Sequence, residues 1–145
     1  MDWTIRPTPY DEADFAPLIA EAVAGGDGFM TRLRDAWRSG ANRFCAPGET
    51  YLGVWRDGAL IGAGGINRDP YGSDPAIGRV RHLYVRPAAR GQGVGGALTG
   101  RLIEHARAHF GVLRLRTRRP EAARMYERLG FVRTDGCNET HRLVF

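Results

Sequence analysis

Apolar residues recur along the chain with two spacings, and each spacing predicts its own kind of element. Apolar positions three or four residues apart predict helices at residues 11–24, 29–38, 94–110 and 120–129. Short apolar and β-branched runs predict strands at residues 3–6, 50–55, 59–66, 79–85, 112–117, 131–134 and 142–145. Asp57-Gly58 separates two of these runs, and Asp-Gly at such a position is typical of a hairpin.

The order of these elements is βααβββαβαββ, which predicts the class of fold. An antiparallel hairpin followed by alternating helices and strands indicates an α/β protein with a mixed sheet. We expect six to seven strands, with about four helices on both faces of the sheet. Residues 67–78 contain turn-forming residues throughout and predict a loop. A chain of 145 residues is typical of one domain, residues 1–145.

The positive charge is concentrated in one half of the chain. The sequence has 21 basic residues, all arginine, and a net charge of +5. Residues 79–133 carry 13 of these arginines and only three acidic residues. This half is therefore predicted to hold a polyanion, either a phosphorylated cofactor or nucleic acid. Solvated helix faces explain some of the same arginines.

Several classes of protein are disfavoured by what the chain does not contain. It has no apolar run of about 18 residues, so we predict no membrane partner. The N-terminal residues do not resemble a signal peptide, so a cytoplasmic location is expected. Cys45 and Cys137 match no metal-binding spacing, and His105 and His109 have no third ligand. We therefore predict no metal.

The segment RGQGVGG, residues 90–96, is a glycine-rich phosphate loop that can be interpreted in two ways. From Gly91 it is the G-x-G-x-x-G of dinucleotide-binding folds, and from Arg90 it is Arg-x-x-Gly-x-Gly. Both place backbone N–H groups and a helix N-terminus against a phosphate. Only 49 residues follow Gly96, too few for the rest of a doubly wound sheet and a substrate domain. The second interpretation is therefore favoured.

Two longer motifs support this choice. The run HLYVRPAARGQGVGGALTGRLIEHA resembles the central motif of the GCN5-related N-acetyltransferases, the GNAT family, and PEAARMYERLGFVRTD resembles the family's next motif. The order of elements is also similar, so the resemblance extends over the whole chain. It implies an acetyl-CoA-dependent N-acetyltransferase that transfers the acetyl group directly to a primary amine of a small molecule or peptide. A non-catalytic module that binds or senses acyl-CoA is the alternative.

The resemblance also implies which residues bind acetyl-CoA. The cofactor would lie where strands 79–85 and 112–117 splay apart, with its pantetheine arm paired to the backbone of Leu83, Tyr84 and Val85. Its pyrophosphate would lie on the backbone amides of Arg90, Gly91, Gln92, Gly93, Val94 and Gly95. Among the glycines, positions 93 and 95 carry the motif, whereas Gly91 and Gly96 are expected to be incidental.

Two catalytic residues are implied, Tyr126 and His82. Tyr126 matches the tyrosine that protonates the departing CoA thiolate in many members, although a packed core tyrosine is the alternative. The usual glutamate base is replaced by Arg79, and His82, with an ordinary pKa of ~6.5, is the nearest substitute. His82 packing between strand and helix is equally compatible with the sequence. Arg119 stands where many members carry an asparagine that contacts the cofactor.

The acceptor amine is not identified by the sequence. By resemblance, its site would be built from residues 25–29 and 67–74, where Asp69 and Asp74 are candidates for binding a cationic substrate. A nucleic-acid partner is not predicted, because the arginines fall within the cofactor motifs and no aromatic-basic platform accompanies them. A homodimer is compatible with the sequence.

Overall fold

The computed structural model describes residues 2–145 and contains seven strands and four helices. The strands are β1 (Thr4–Pro7), β2 (Thr50–Arg56), β3 (Ala59–Arg68), β4 (Ile77–Val85), β5 (Val112–Leu115), β6 (Val132–Arg133) and β7 (His141–Val144). The helices are α1 (Glu12–Ala24), α2 (Phe29–Ser39), α3 (Val94–Arg107) and α4 (Pro120–Arg128). Within these residues no helix is both long and apolar enough to cross a membrane.

The strands form one mixed sheet in the order β1-β2-β3-β4-β5-β7-β6. Only β4 and β5 run parallel, connected by α3, and every other neighbouring pair in this sheet is antiparallel. The predicted mixed α/β sheet and its element order are thus confirmed. Asn67 and Arg68 lengthen β3 into the predicted loop because they pair with Arg79 and Gly78 of β4.

Two apolar cores cover the two faces of the sheet. One face packs against α3, whose buried residues include Leu98, Leu102 and Ala106, together with Tyr126 of α4. The other face packs against α1 and α2, with Phe15 and Leu33 at its centre. The prediction of helices on both faces is confirmed.

Helix ends follow from local chemistry. Asp11 caps α1, because its carboxylate accepts a hydrogen bond from the Asp14 N–H at 3.0 Å. Gly40 ends α2 with φ of 80°, a left-handed conformation that glycine adopts without a Cβ clash. Pro120 occupies the first turn of α4, where its missing N–H costs nothing.

A β-bulge interrupts β4 at His82, which has a left-handed φ of 52°. The register passes from Gly65 opposite Arg81 to Ala63 opposite Tyr84, so two residues of β4 face one of β3. The extra residue changes which side chains face each core: Val80 packs on the α3 side, whereas Tyr84 packs on the side of α1 and α2.

Candidate active site

The sheet forks between β4 and β5. Their parallel pairing ends at Arg79 opposite Arg114, and beyond this point β4 continues to Val85 while β5 ends at Leu115. A cleft of about 1000 Å³, the main cleft, opens between the diverging chains. Its walls come from residues 80–85, 89–91, 93–96 and 115–119 and from the inner side of α4.

A buried ionic cluster lies directly at the fork. Asp69, 1% exposed, pairs with Arg79 at 3.5 Å and with Arg114 at 2.7 Å. Arg79 also donates to the Asn138 carbonyl at 2.6 Å, and Arg114 Nε lies 2.8 Å from Glu139 Oε1. Arg79 of β4 therefore contacts the segments that follow β3 and precede β7. Asp69 is already neutralised by two arginines, which argues against its binding a cationic substrate.

The Gly loop (residues 90–96) leads from the end of β4 into the N-terminus of α3. Gly91 and Gly93 have φ of 76° and 84°, a region that residues with a Cβ rarely adopt. A Cβ added to Gly95 would lie 3.3 Å from the Met125 sulfur, so this glycine lets α3 approach α4 closely. Gly91 is therefore required by the backbone and is not incidental, whereas Gly96 shows neither constraint.

The polar side chains of the loop have partners of their own. Arg90 Nε donates to the Val85 carbonyl at 2.9 Å, and its guanidinium lies over the Tyr84 ring. Gln92 accepts from Arg56 at 2.7 Å and donates to the Ala88 carbonyl, and it does not line the main cleft. Of the nine predicted cofactor residues, the remaining eight line the cleft.

Tyr126 lines the main cleft from α4 and is 6% exposed. Its ring packs edge-on against Phe131, and burial raises the pKa of its phenol. Within residues 2–145 the hydroxyl has no hydrogen-bond partner. The ring therefore belongs to the core and the residue also borders the cleft, whereas its role as a proton donor stays a prediction.

The position of α4 is fixed by a chain of hydrogen bonds beside Tyr126. The fully buried His141 contacts the Glu127 carboxylate at 2.8 Å through Nε2 and the Thr140 hydroxyl at 2.9 Å through Nδ1. Thr140 in turn accepts from the Thr117 N–H at the end of the cleft. His141 thus joins β7, α4 and the residues that follow β5.

His82 occupies the β4 bulge, and its carbonyl accepts a hydrogen bond from the Tyr51 hydroxyl at 2.9 Å. Its Nδ1 is buried and lacks a partner among the described residues. Burial, together with the charges of Arg81 and Arg32, lowers the pKa of His82 to about 3. The ring is therefore neutral at physiological pH and a much weaker base than an ordinary histidine.

A second cavity, the side cavity, has a volume of about 720 Å³ and lies between α2, the end of β3 and the residues that follow α2. It shares Arg32, Tyr71, Arg81 and His82 with the main cleft. A molecule in the side cavity would therefore meet a molecule in the main cleft beside His82. The predicted acceptor loop, residues 67–74, contributes part of this wall.

An ion pair joins two residues that line the main cleft. Arg119, at the N-terminus of α4, pairs with Asp27, which lies between α1 and α2. Both residues line the cleft. Where the resemblance places a cofactor-binding asparagine, this chain therefore has an arginine that already has an acidic partner. No cluster of three or more metal-ligating side chains occurs within the described residues.

Comparison with known proteins decides the family. Residues 14–131 match the model of the Acetyltransferase (GNAT) family. The matched residues include the fork, the Gly loop and α4. The chain belongs to this family. The resemblance inferred from the two motifs is thus confirmed.

Two curated GNAT relatives and one solved structure illustrate the similarity. The N-alpha-acetyltransferase RimI of Mycobacterium tuberculosis is 34% identical over 102 residues, covering 68% of this chain and 63% of the relative. The mycothiol acetyltransferase of Paenarthrobacter aurescens is 36% identical over 112 residues, covering 74% of this chain and 34% of the relative. The chain thus spans less than two thirds of either relative. A crystal structure from Exiguobacterium sp. 255-15, assigned as an acetyltransferase, is similar with a TM-score of 0.88 and 27% identity, covering 99% of this chain and 94% of the other.

Some features of this GNAT site were not predicted from sequence. The Asp27–Arg119 pair joins residues 92 positions apart, and no local pattern signals such a contact. The side cavity and its arginines depend on how α2 lies across β4. The bulge had one available signal, because His82 disrupts the alternation of side chains in the run RVRHLYV.

Proposed function

We propose that the protein is an acetyl-CoA-dependent N-acetyltransferase, with acetyl-CoA in the main cleft and the amine in the side cavity. The observation that carries this proposal is the fork: β4 leaves β5 after Arg79, so its edge on that side is unpaired as far as Val85, while its other edge stays paired with β3. An extended, unpaired strand edge can bind a pantetheine arm as an added strand. Family membership and the names of the two curated relatives support the same reaction.

The phosphate end of the cofactor would lie at the N-terminus of α3. The left-handed Gly93 begins this helix, whose first N–H groups are free of intrahelical partners. Glycines at 91, 93 and 95 allow the backbone to approach a phosphate without Cβ atoms. Arg90 adds a cation beside the same loop.

The thioester would lie near Leu83 and Val85. Arg86 N–H donates to Ile61 of β3, so by strand alternation Val85 directs its backbone groups away from β3. The hydrogen bond from Arg90 to the Val85 carbonyl is consistent with this direction. A backbone N–H on the same side of β4 would stabilise the oxyanion formed when the amine attacks.

Tyr126 and His82 would divide the proton chemistry. The amine nitrogen bonds to the thioester carbon, the carbon–sulfur bond breaks, and Tyr126 gives its proton to the departing thiolate. With a pKa of about 3, His82 is suited to accept a hydrogen bond from the attacking amine and orient it. The amine proton then passes to water, and the Tyr126 phenolate regains a proton from water.

Two measurements test the proposal. Calorimetry should show acetyl-CoA binding to the wild-type chain, and weaker binding to Gly93→Ala, in which a Cβ is forced into a left-handed position. A thiol-release assay over a panel of primary amines should show turnover with at least one. Absence of binding at millimolar acetyl-CoA would exclude the proposed cofactor site, and binding without acetylation of any amine would contradict the catalytic part.

A further inference from the structure

Two arginines at the junction of the side cavity and the main cleft have no acidic partner among the described residues. Arg32 on α2 and Arg81 on β4 line both cavities, and neither forms an ion pair or a side-chain hydrogen bond within residues 2–145. Arg32 is exposed, whereas Arg81 is half-buried, and its burial lowers the pKa of its guanidinium. A half-buried arginine without a partner loses solvation that an anion would restore.

The phosphates of the proposed cofactor do not explain these two arginines. The cofactor's pyrophosphate would lie at the Gly loop, beyond Val85. Arg81 lies four residues earlier in β4, a distance of about 13 Å at about 3.3 Å per residue. The part of the cofactor nearest to Arg81 would be its uncharged thioester end. An anion at this junction would therefore belong to the other substrate.

The side cavity's own acidic residue is already engaged. Glu49 accepts hydrogen bonds from the Ala46 N–H at 3.1 Å and the Arg68 N–H at 2.9 Å. Both of its carboxylate oxygens are thus held by backbone groups. Among the described residues, no carboxylate of the side cavity pairs with Arg32 or Arg81.

Two buried polar atoms, which belong to residues that line the side cavity, have no hydrogen-bond partner among the described residues. Asn67 is 6% exposed and lines the side cavity, and its Oδ1 has no hydrogen-bond partner among the described residues. His82 Nδ1 is likewise unpartnered. Buried polar atoms in native proteins are nearly always satisfied by protein or water, so these two atoms leave hydrogen-bonding capacity beside the side cavity that a bound amine could use.

We propose that the acceptor is a small amine that carries an anionic group close to its nitrogen, as in an amino acid or an aminoalkyl phosphate. Arg32 and Arg81 bind the anion, and Asn67 and His82 receive the N–H groups. A volume of about 720 Å³ suits a small molecule. This inference rests on the proposed function and names the substrate class of the same site.

The first test compares matched acceptors that differ only in the anion. Alanine is paired with alaninamide and ethanolamine phosphate with ethanolamine, and kcat/KM is expressed per concentration of free-base amine. We expect the anionic member of at least one pair to be favoured about tenfold or more, the value of one charged hydrogen bond. The pair that shows the preference distinguishes carboxylate from phosphate.

The arginine variants then locate the anion site. Arg81→Gln and Arg32→Gln should each raise KM for the anionic acceptor about tenfold more than KM for its neutral partner. Arg101→Gln is the matched control, because Arg101 is exposed on α3 and lines neither cavity. Equal turnover of anionic and neutral acceptors would overturn the inference. So would an equal loss on both acceptors in the arginine variants.

A binding measurement keeps this inference separate from the proposed function. With CoA present, calorimetry compares N-acetylalanine and phosphorylated N-acetylethanolamine with their uncharged counterparts. We expect an anionic ligand to bind the wild-type chain and to lose affinity in Arg81→Gln. If acetyl-CoA binds but neither anionic ligand does, the inference fails while the cofactor site stands. If acetyl-CoA itself does not bind, the proposed function fails.

Discussion

Replacing Asp69 by asparagine should destabilise the whole fold, because this carboxylate neutralises two arginines at the fork. Its side chain is 1% exposed, and those of Arg79 and Arg114 are 6% and 13% exposed. Removing one partner of a buried ion pair costs about 3–5 kcal/mol. Asparagine keeps the size of the side chain and one acceptor oxygen, and Glu139 remains near Arg114. We therefore expect a loss of unfolding free energy at the lower end of this range, about 3 kcal/mol.

Urea unfolding measures this loss directly. With a slope of about 1.5 kcal/mol per molar urea, a loss of about 3 kcal/mol lowers the midpoint by about 2 M. Asp35→Asn is the matched control, because Asp35 is 61% exposed and, within residues 2–145, pairs only with the neighbouring Arg34. Exposed pairs contribute little, so its midpoint should not change measurably.

The same variant reports on the cleft. Because the cluster joins the last paired residues of β4 and β5, its loss should also weaken acetyl-CoA binding at temperatures where the variant remains folded. A loss of unfolding free energy below about 1 kcal/mol, with an unchanged urea slope, would refute the view that the ion pairs of Asp69 stabilise the fork. Far-UV circular dichroism at the assay temperature verifies folding before binding is measured.

Three further substitutions test single groups. Tyr126→Phe should lower kcat about 10²-fold and leave the Kd for CoA nearly unchanged, because the variant lacks the proton donor. A parallel loss of CoA affinity would instead indicate a packing role. His82→Gln should lower kcat without moving the acidic limb of the pH–rate profile, because the pKa of His82 is about 3. If wild type shows a limb near pH 6.5 that the variant lacks, His82 acts as an ordinary base. Hydrogen bonding to Arg142, and then to Thr134, lowers the pKa of Glu139 below its ordinary 4.5. The ionised carboxylate therefore stabilises the fold above pH 4.5, and this stabilisation is lost as the pH falls through the lowered value. Glu139→Gln should lower the urea midpoint relative to wild type at pH 7, and the two midpoints should converge in acid. An equal difference at both pH values would contradict this.

Much of the fold could be predicted because its signals are local. The Asp57-Gly58 hairpin, the proline that begins α4 and the glycine at position 40 each act within a few residues. Local periodicity therefore sufficed for the order of elements and the mixed sheet. The strand ends were less accurate, since Arg68 and Gly78 join the sheet only because they face each other.

The candidate site was predicted less completely, because several of its features are made by residues distant in sequence. Burial beside Arg81 and Arg32 lowers the pKa of His82, and no spacing in the sequence reveals this environment. Gly91 appeared to be incidental in the motif, but the backbone turn requires its positive φ. Asp69, a candidate for binding a cationic substrate, instead forms ion pairs with two arginines.

The fork has a consequence for the kinetics and thermodynamics of ligand binding. Buried ion pairs hold β4 and β5 at the point where their pairing ends, so we expect a ligand to bind without separating the two strands. Association should then resemble docking to a rigid surface, with little change of backbone in β4 or β5. The heat-capacity change on binding should reflect only the apolar surface that the ligand covers, and should stay well below the change that accompanies coupled folding and binding.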